Sequence, residues 1–241
     1  MMLPKREDAF HKAIMYRVLT HVLDDKELSG KIYFKGGTCA VMMGYLDRFS
    51  VDLDFDLTDI EYKKEARKNL KAIFSTLKLQ LKSEAKDSLF FVLKYESRYP
   101  GNTLKFSVVE QKVKSNLHKP YFLPDIDRYA LCQTIESMFA NKLVAPLDRY
   151  EKYQSIAGRD LYDIHHFFLQ GLNYRKEVIE ERRKVKTAVY LKTLLEFIKE
   201  KINDKVISQD LNHLLNREQF QVVRKTLKQE TIVFLEREIG E

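Results

Sequence analysis

The sequence is poor in cysteine, with only Cys39 and Cys132. Two thiols so far apart in sequence predict neither a disulfide framework nor a zinc site, and they suit a reducing compartment. No apolar run approaches the roughly 20 residues that cross a bilayer, and the opening MMLPKREDAFHKA has no apolar segment typical of a signal peptide. Repeats and low-complexity segments are absent as well. We therefore expect a cytoplasmic protein without a membrane partner.

The composition is that of a globular protein. Its 241 residues, 44% hydrophobic and 32% charged, allow a buried core in one large domain or two small ones. The net charge is +7, and the isoelectric point lies near 9.1. An excess of positive charge suits an acidic partner such as nucleic acid, but it suits solubility alone almost as well. Charge by itself therefore does not decide between these two interpretations.

The periodicity of the apolar residues changes along the chain, from mixed in the first half to helical in the second. In the first half we predict helices over 8–23 and 59–81, the second capped by Asp59. Predicted strands cover 31–37, 50–57, 88–96 and 103–111. The Pro-Gly turn in SRYPGN makes the last two strands an antiparallel pair. In the second half, predicted helices run from Tyr129 to about Pro146, over 159–171 with Gly171 as the stop, and over 174–202 and 217–239.

This order of elements predicts an α+β fold. We expect an N-terminal domain, residues 1–125, with a mixed sheet and helices. A helical C-terminal domain, residues 126–241, would complete a cleft between two lobes.

Three aspartates, Asp52, Asp54 and Asp56, alternate with apolar residues in SVDLDFDL. On a strand they point to the same side, where like charges repel unless something neutralises them. Carboxylates are hard ligands that suit Mg²⁺, and such an ion stabilises charge in phosphoryl transfer. The alternative is a solvated acidic face on an edge strand, which for such a triplet alone is the better interpretation.

Two glycines upstream change this balance. Gly36 and Gly37 follow a predicted strand and precede the predicted helix TCAVMMGYL, and Thr38 adds a hydroxyl group. A glycine turn of this kind lets backbone N–H groups approach a phosphate. A phosphate site shortly before a carboxylate strand fits one ligand that needs both, namely a metal-bound nucleoside triphosphate.

The segments KGGT and DRFSVDLDF together resemble the opening signature of the DNA polymerase β-type nucleotidyltransferases. With Arg48, Phe49 and Ser50 before Asp52, this version resembles the AbiEii toxin family of bacterial abortive-infection and type IV toxin–antitoxin systems. Downstream, TIESMFANKLVAPLDR and GRDLYDIHHF are similar to two further motifs of that family. The four blocks occur in the family's order over most of residues 34–168, and the residues after 168 carry no motif that we recognise.

The resemblance implies roles for the carboxylates and the glycine turn. Asp52 and Asp54 match the family's metal ligands, so Mg²⁺ is the implied cofactor and a nucleoside triphosphate the implied substrate. Asp56 lies outside the motif, and we interpret it as a solvated carboxylate at the strand end. The implied nucleotide-binding residues also include Gly36, Gly37, Thr38, Arg48 and Ser50. Arg48 would either contact phosphate or brace the aspartates.

The later motifs imply a second group of site residues. Lys142 matches a family lysine and would bind the β- and γ-phosphates, although an exposed helix lysine is the alternative. Asp160 and Asp163 match the two acids of the family's Arg-Asp-Leu-Tyr-Asp-Leu motif. At least one of them would help to position the base, the metal or Lys142.

The sequence departs from the superfamily at a third metal carboxylate, which many members carry on a later strand. The candidate strand TLKFSVVEQ places Lys105, Ser107 and Val109 on one side, so Ser107 occupies the expected position. Glu110 points to the other side of the strand, and only a β-bulge would turn its side chain toward Ser107.

Family resemblance therefore implies transfer of a nucleoside monophosphate to RNA, with the tRNA 3′ end as the favoured acceptor, by a toxin that a cognate antitoxin restrains. Two alternatives stay open. The acceptor would be a small molecule or a protein, or the chain would be a catalytically silent nucleotide- or RNA-binding module, as the missing acid suggests.

Overall fold

A computed structural model describes residues 3–6, 8–97 and 101–240. These residues form two compact units. The first comprises residues 3–112 and 118–133 and contains the β-sheet. The second comprises residues 113–117 and 134–240 and is helical.

The first unit alternates helices and strands around one mixed sheet. Its elements are α1 (Asp8–Asp24), β1 (Ile32–Lys35), α2 (Gly36–Met42), β2 (Asp52–Leu57), α3 (Lys63–Thr76), β3 (Gln80–Glu84), β4 (Leu89–Lys94), β5 (Thr103–Glu110), β6 (His118–Leu123) and β7 (Arg128–Gln133). The strand order is β3-β4-β5-β2-β1-β7-β6. Strand β2 is central, antiparallel to β1 and parallel to β5.

The two sides of this sheet differ in chemistry because side chains alternate along each strand. Leu53 and Phe55 of β2 are fully buried, and the ring of Phe55 lies 5.3 Å from that of Phe34 and 5.0 Å from that of Phe106. The aspartates of β2 point to the opposite side, which we call the aspartate face. The buried aromatic side thus fixes the register of β2, because a shift by one residue would bury the carboxylates instead.

The second unit contains α4 (Ile135–Tyr153), α5 (Gly158–Leu169), α6 (Lys176–Arg183), α7 (Thr187–Lys201), α8 (Asp204–Leu211) and α9 (Arg217–Gly240). Helix α4 begins after Thr134, whose side chain accepts a hydrogen bond from the backbone N–H of Ser137. The aromatic ring of Phe139 packs edge-on against Phe167, with 5.2 Å between ring centroids. In the part of the chain that the structure describes, every helix is too short or too polar to cross a bilayer.

The predicted α+β fold, a mixed sheet with helices followed by a helical region, is confirmed. So are the strand carrying the aspartates and the antiparallel pairing of β4 with β5. Asp59 caps a 3₁₀ turn (Ile60–Tyr62) that leads into α3, by accepting a hydrogen bond from the N–H of Glu61. The proline of the predicted Pro-Gly turn, Pro100, lies outside the described residues.

The prediction of a helix beginning at Tyr129 is wrong, because residues 128–133 form β7. Their short apolar run fits a strand or a helix equally well by periodicity. These residues form a strand because they pair with β1 on one side and with β6 on the other. The preceding strand β6 was not predicted, since Pro120 in its centre argues against a strand.

Three predicted helix boundaries are also wrong. Helix α3 ends at Thr76, and residues 80–84 form β3 at the sheet edge. Helix α4 continues through Pro146 to Tyr153, although proline removes one backbone donor inside the helix. The helix predicted over 174–202 is two helices, since Lys184 adopts a left-handed conformation (φ +57°) and ends α6. No glycine marks that break, so the sequence pattern gave no signal for it.

Candidate active site

Strand β2 holds Asp52 and Asp54 on the aspartate face of the sheet. Both side chains are half-buried, while Leu53 between them is fully buried on the other side. In the pairing with β1, Asp54 lies opposite Lys35, the residue directly before the glycine turn. The strand pairing therefore brings the carboxylates next to the pair Gly36–Gly37, the first two residues of α2, which we call the glycine turn.

Neighbouring side chains approach both glycines closely. Gly36 has φ +81°, and a Cβ atom there would lie 2.9 Å from Oδ2 of Asp54. A Cβ at Gly37 would lie 2.6 Å from Nη2 of Arg48 and 3.2 Å from Oγ of Ser50. Since any side chain would displace these groups, the glycine pair lets the turn backbone lie directly against Asp54 and Arg48.

The other predicted nucleotide-binding residues brace this turn. The hydroxyl of Thr38 lies 2.8 Å from Oγ of Ser50 and donates a hydrogen bond to the carbonyl oxygen of Asp52. Arg48 donates from Nη1 to the carbonyl oxygen of Phe49 at 2.9 Å. Thr38, Arg48 and Ser50 are all buried. The structure thus brings them together behind the turn and ties it to the start of β2.

Asp56 is not the solvated carboxylate that we predicted from the sequence. Its side chain is buried, with Nζ of Lys35 2.5 Å from Oδ1 and Nε2 of His118 3.2 Å from Oδ2. Gln133 also donates to Oδ2, at 3.5 Å. Burial alone would raise the pKa of Asp56, but the hydrogen bond from His118 and the charge of Lys35 bring that pKa below its ordinary value. The charge of the third aspartate is therefore neutralised within the protein.

The register of β5 against β2 places Ser107 on the side of the aspartates, as its alternation predicted. Ser107 is the partner of Asp54, and Lys105 is the partner of Asp52. Glu110 is paired with Leu57 and has the opposite parity, and its carboxylate lies 2.9 Å from Nζ of Lys63. The two strands pair residue by residue from Asp52 to Leu57 without a bulge. Lysine and serine thus occupy the positions beside the two aspartates.

The donor set fits a magnesium ion that is shared with a substrate. Across residues 3–6, 8–97 and 101–240, no group of three or more Asp, Glu, His or Cys side chains is arranged to hold a metal. Asp52 and Asp54 supply two hard oxygen ligands on one face. Mg²⁺ commonly takes only one or two protein carboxylates and completes its coordination with water and substrate phosphates. The pair therefore suits an ion that arrives with a nucleoside triphosphate.

A second cluster, in the helical unit, contains the other predicted site residues. Nζ of Lys142 on α4 lies 3.0 Å from Oδ1 of Asp160 and 2.8 Å from Oδ2 of Asp163, both on α5. Asp160 and Asp163 are almost completely buried, at 1% and 0% exposure. Arg149 donates to Oδ2 of Asp160 from Nε at 3.1 Å and from Nη2 at 3.0 Å. The predicted lysine and both predicted acids therefore form one ion-pair network.

The charges of this network hold Asp160 in its ionised form. Burial alone would raise the pKa of Asp160, yet the positive charges of Lys142 and Arg149 keep that pKa below its ordinary value. A carboxylate with a lowered pKa is a poor proton acceptor at neutral pH. Asp160 is therefore suited to fixing the position of Lys142 rather than to acting as a general base.

Sequence reasoning missed four residues of these networks, namely Arg149, Lys35, His118 and Gln133. Arg149 follows Lys142 by seven residues, hence by two helical turns on the same side of α4, so its spacing was a usable signal. The other three contact Asp56 from strands that are distant in sequence. No local pattern marks them, because the contacts depend on the strand order.

His11 of α1 holds the start of β2 in place. Its Nδ1 lies 2.7 Å from the hydroxyl of Tyr95, and its Nε2 lies 2.9 Å from the carbonyl oxygen of Val51, next to Asp52. The neutral ring with a proton on Nε2 satisfies both partners, since it accepts from the phenol and donates to the carbonyl. Burial is the largest cause that lowers the pKa of His11 below 6.5.

This lowered pKa predicts a loss of stability in mild acid. Below pH 6.5 the unfolded chain binds a proton at His11 before the folded chain does, so the free energy of unfolding falls as the pH falls. We expect His11→Gln to make the dependence of this free energy on pH between 7.5 and 5.5 less steep, as measured by urea denaturation. The pKa of His165 is lowered as well, so some dependence should persist. Equal slopes for the variant and the wild type would contradict this assignment.

The mixed sheet, with a carboxylate pair beside a glycine turn and a helical unit after it, defines a nucleotidyltransferase fold. Solved structures share this fold. JHP933 from Helicobacter pylori is 18% identical with a TM-score of 0.55, covering 98% of this chain and 96% of that one. MenT4, a nucleotidyltransferase toxin from Mycobacterium tuberculosis, is 14% identical with a TM-score of 0.52, covering 95% and 84%. A further H. pylori structure is 19% identical with a TM-score of 0.59, covering 97% and 98%.

The family follows from the sequence match. The model of the family described as nucleotidyl transferase AbiEii toxin, type IV toxin–antitoxin system, matches residues 17–228. The chain therefore belongs to the AbiEii family of nucleotidyltransferase toxins, as its motifs predicted. No curated protein matches the chain.

Proposed function

We propose that this toxin transfers a nucleoside monophosphate from a nucleoside triphosphate to a hydroxyl group of RNA, with the tRNA 3′ end as the favoured acceptor. It would act in the cytoplasm, where a cognate antitoxin restrains it. The observation that carries the proposal is the position of Asp52 and Asp54 on one face of β2, with the Gly36–Gly37 turn directly against Asp54. The net charge of +7 supports an RNA acceptor.

In the proposed reaction, the acceptor oxygen attacks the α-phosphorus and forms the new P–O bond. The bond between the α-phosphorus and the bridging oxygen to the β-phosphate breaks, and pyrophosphate leaves. Asp52 and Asp54 would hold Mg²⁺, which supplies charge neutralisation for the triphosphate. The backbone of the Gly36–Gly37 turn would bind the phosphates. The family motif also implies phosphate binding by Lys142, whose position Asp160 and Asp163 fix.

With Ser107 as the partner of Asp54, strand β5 supplies no carboxylate at this position to take the proton of the acceptor hydroxyl. Positioning of the reactants and neutralisation of the phosphate charge supply most of the catalysis that this site can offer. The hydroxyl proton can accordingly leave to water as the bond forms. The lack of a carboxylate at position 107 also favours the second candidate function, a silent module that binds nucleotide or RNA without turnover.

Label transfer separates these functions. Each α-³²P-labelled nucleoside triphosphate is incubated with Mg²⁺, the protein and total tRNA, in parallel with a protein extract and a small-molecule extract. We expect label in the tRNA, with one triphosphate preferred. Label only in the protein or small-molecule fraction would assign the other acceptor class. Triphosphate binding without label in any fraction would favour the silent module.

A further inference from the structure

The aspartate face continues past the carboxylates onto β5 and β4. In the strand register, Asp52 is paired with Lys105 and Asp54 with Ser107, and Ser107 is paired in turn with Phe90 of β4. Along the same side of these strands, the next pair is Lys105 with Val92, and the pair after that is Thr103 with Lys94. Paired residues lie on the same side of a sheet, so Phe90, Lys94 and Lys105 share the face of the aspartates. We call these three residues the β4–β5 patch.

The β4–β5 patch is exposed, unlike the other side of the same strands. Phe90 is 36% exposed, whereas its neighbours Leu89 and Phe91 are buried at 1% and 0%. Lys94 and Lys105 are exposed as well. A large aromatic ring that stays in contact with water, with Lys105 diagonally opposite on the neighbouring strand, is not explained by packing of the sheet core.

The patch also keeps its positive charge. Over the part of the chain that the structure describes, neither Lys94 nor Lys105 forms an ion pair or a side-chain hydrogen bond. Glu110, the only acid of β5, points to the opposite side and is paired with Lys63. By contrast, Lys35, which lies on β1 at the other flank of β2, forms an ion pair with the buried Asp56. The two lysines of the patch are therefore available for an acidic ligand.

The position of the patch suits the second substrate. Strand β2 has β1 and the glycine turn on one flank and β5 on the other, so a triphosphate at the turn leaves the β5 flank for the acceptor. With strands about 4.8 Å apart, Lys105 is one strand from Asp52 and Phe90 is two strands, roughly 10 Å, from Asp54. An acceptor held there would present its hydroxyl group toward the carboxylates.

We propose that the β4–β5 patch binds the unpaired 3′ end of the acceptor RNA. Phe90 stacks on a base, and Lys105 and Lys94 bind backbone phosphates, which is the combination that single-stranded nucleic acid requires. Lysines are depleted at protein–protein interfaces, so this composition favours RNA over the antitoxin as the occupant. The inference rests on the proposed function for the identity of the acceptor, and it adds the residues that bind it.

The test measures RNA binding without transfer. A fluorescent single-stranded RNA of about 8 nucleotides is titrated with the full chain in the absence of triphosphate. We expect Phe90→Ala to weaken binding about 10-fold through loss of stacking. Lys105→Ala should weaken binding and reduce the slope of log affinity against log salt by about one. Lys105 is exposed and Phe90 is 36% exposed, so both variants should stay folded, which thermal melting checks.

Matched controls come from the same sheet. Phe122→Ala removes an aromatic ring that is 42% exposed on β6, and Lys119→Ala removes an exposed lysine that shares the side of Cys132. Both controls should bind the RNA like the wild type, and triphosphate affinity should be unchanged in all four variants. RNA binding of the Phe90 and Lys105 variants equal to that of the controls would overturn the proposal.

Two other outcomes would also overturn it and identify another occupant. A loss of triphosphate affinity in Lys105→Ala, with RNA binding intact, would assign the lysine to the triphosphate. Weaker inhibition by the antitoxin, with RNA binding intact, would assign the patch to that protein. If the wild type itself does not bind RNA, the proposed acceptor fails. If the wild type binds RNA and the variants bind equally, only the patch fails.

Discussion

Replacement of Asp52 by alanine is expected to abolish nucleotide transfer while the chain stays folded. The change removes one of the two carboxylates that would hold the metal against the triphosphate, and the register of β5 offers Lys105 and Ser107 rather than a replacement acid. Loss of one group that stabilises charge in a transition state commonly lowers the rate about 100-fold or more, and we expect a decrease of this size or larger. Steady-state transfer with each triphosphate measures it.

The control for this variant is Glu110→Gln. Glu110 is a carboxylate on the neighbouring strand that points away from the aspartate face and contacts Lys63, so its loss should leave transfer unchanged. Circular dichroism and thermal melting of both variants show whether the fold is retained. Full activity of Asp52→Ala at wild-type stability would contradict the metal assignment.

Replacement of Lys142 by alanine is expected to destabilise the chain by about 3 kcal/mol, because removal of one partner leaves buried charges without compensation. Asp160 and Asp163 would stay in the interior, and Arg149 would still contact Asp160. Urea denaturation of the wild type and the variant measures the difference in free energy of unfolding.

Lys152→Ala is the matched control on the same helix. Lys152 is exposed near the end of α4, so its removal should change the free energy of unfolding by no more than about 0.5 kcal/mol. If Lys142→Ala were as mild as this control, the ion-pair network would not hold α4 and α5 together. A stable but inactive variant would then leave Lys142 with a purely functional role.

Local patterns were enough to predict the central part of the fold. The alternation in SVDLDFDL predicted a strand with its carboxylates on one side, and the same rule placed Ser107 and not Glu110 beside the aspartates. These predictions succeeded because side-chain direction in a strand depends only on parity. The family motifs also contain Lys142, Asp160 and Asp163, and Lys142 forms ion pairs with both acids.

Features that depend on distant strand pairing were not predictable in this way. Asp56 looked solvated because nothing near it in sequence neutralises it. Lys35, His118 and Gln133 reach it from β1, β6 and β7. The apolar residues of β7 fit a helix as well as a strand. Its pairing with β1 and β6 determines that it is a strand, and that pairing is not visible in its own sequence. The charge of Asp56 is thus neutralised by neighbouring side chains, whereas Asp52 and Asp54 are the proposed metal ligands.

We propose covalent addition of nucleotides to the 3′ end of RNA by the Asp52–Asp54 site. The most direct measurement is the mass of the 3′-terminal fragment of tRNA after treatment with the wild type or with Asp54→Asn, in the presence of Mg²⁺ and all four triphosphates. We predict that the wild type increases this mass by one or more nucleoside monophosphates and that the variant leaves it unchanged. An unchanged 3′ fragment with the wild type, at protein concentrations that bind both triphosphate and tRNA, would contradict the claim.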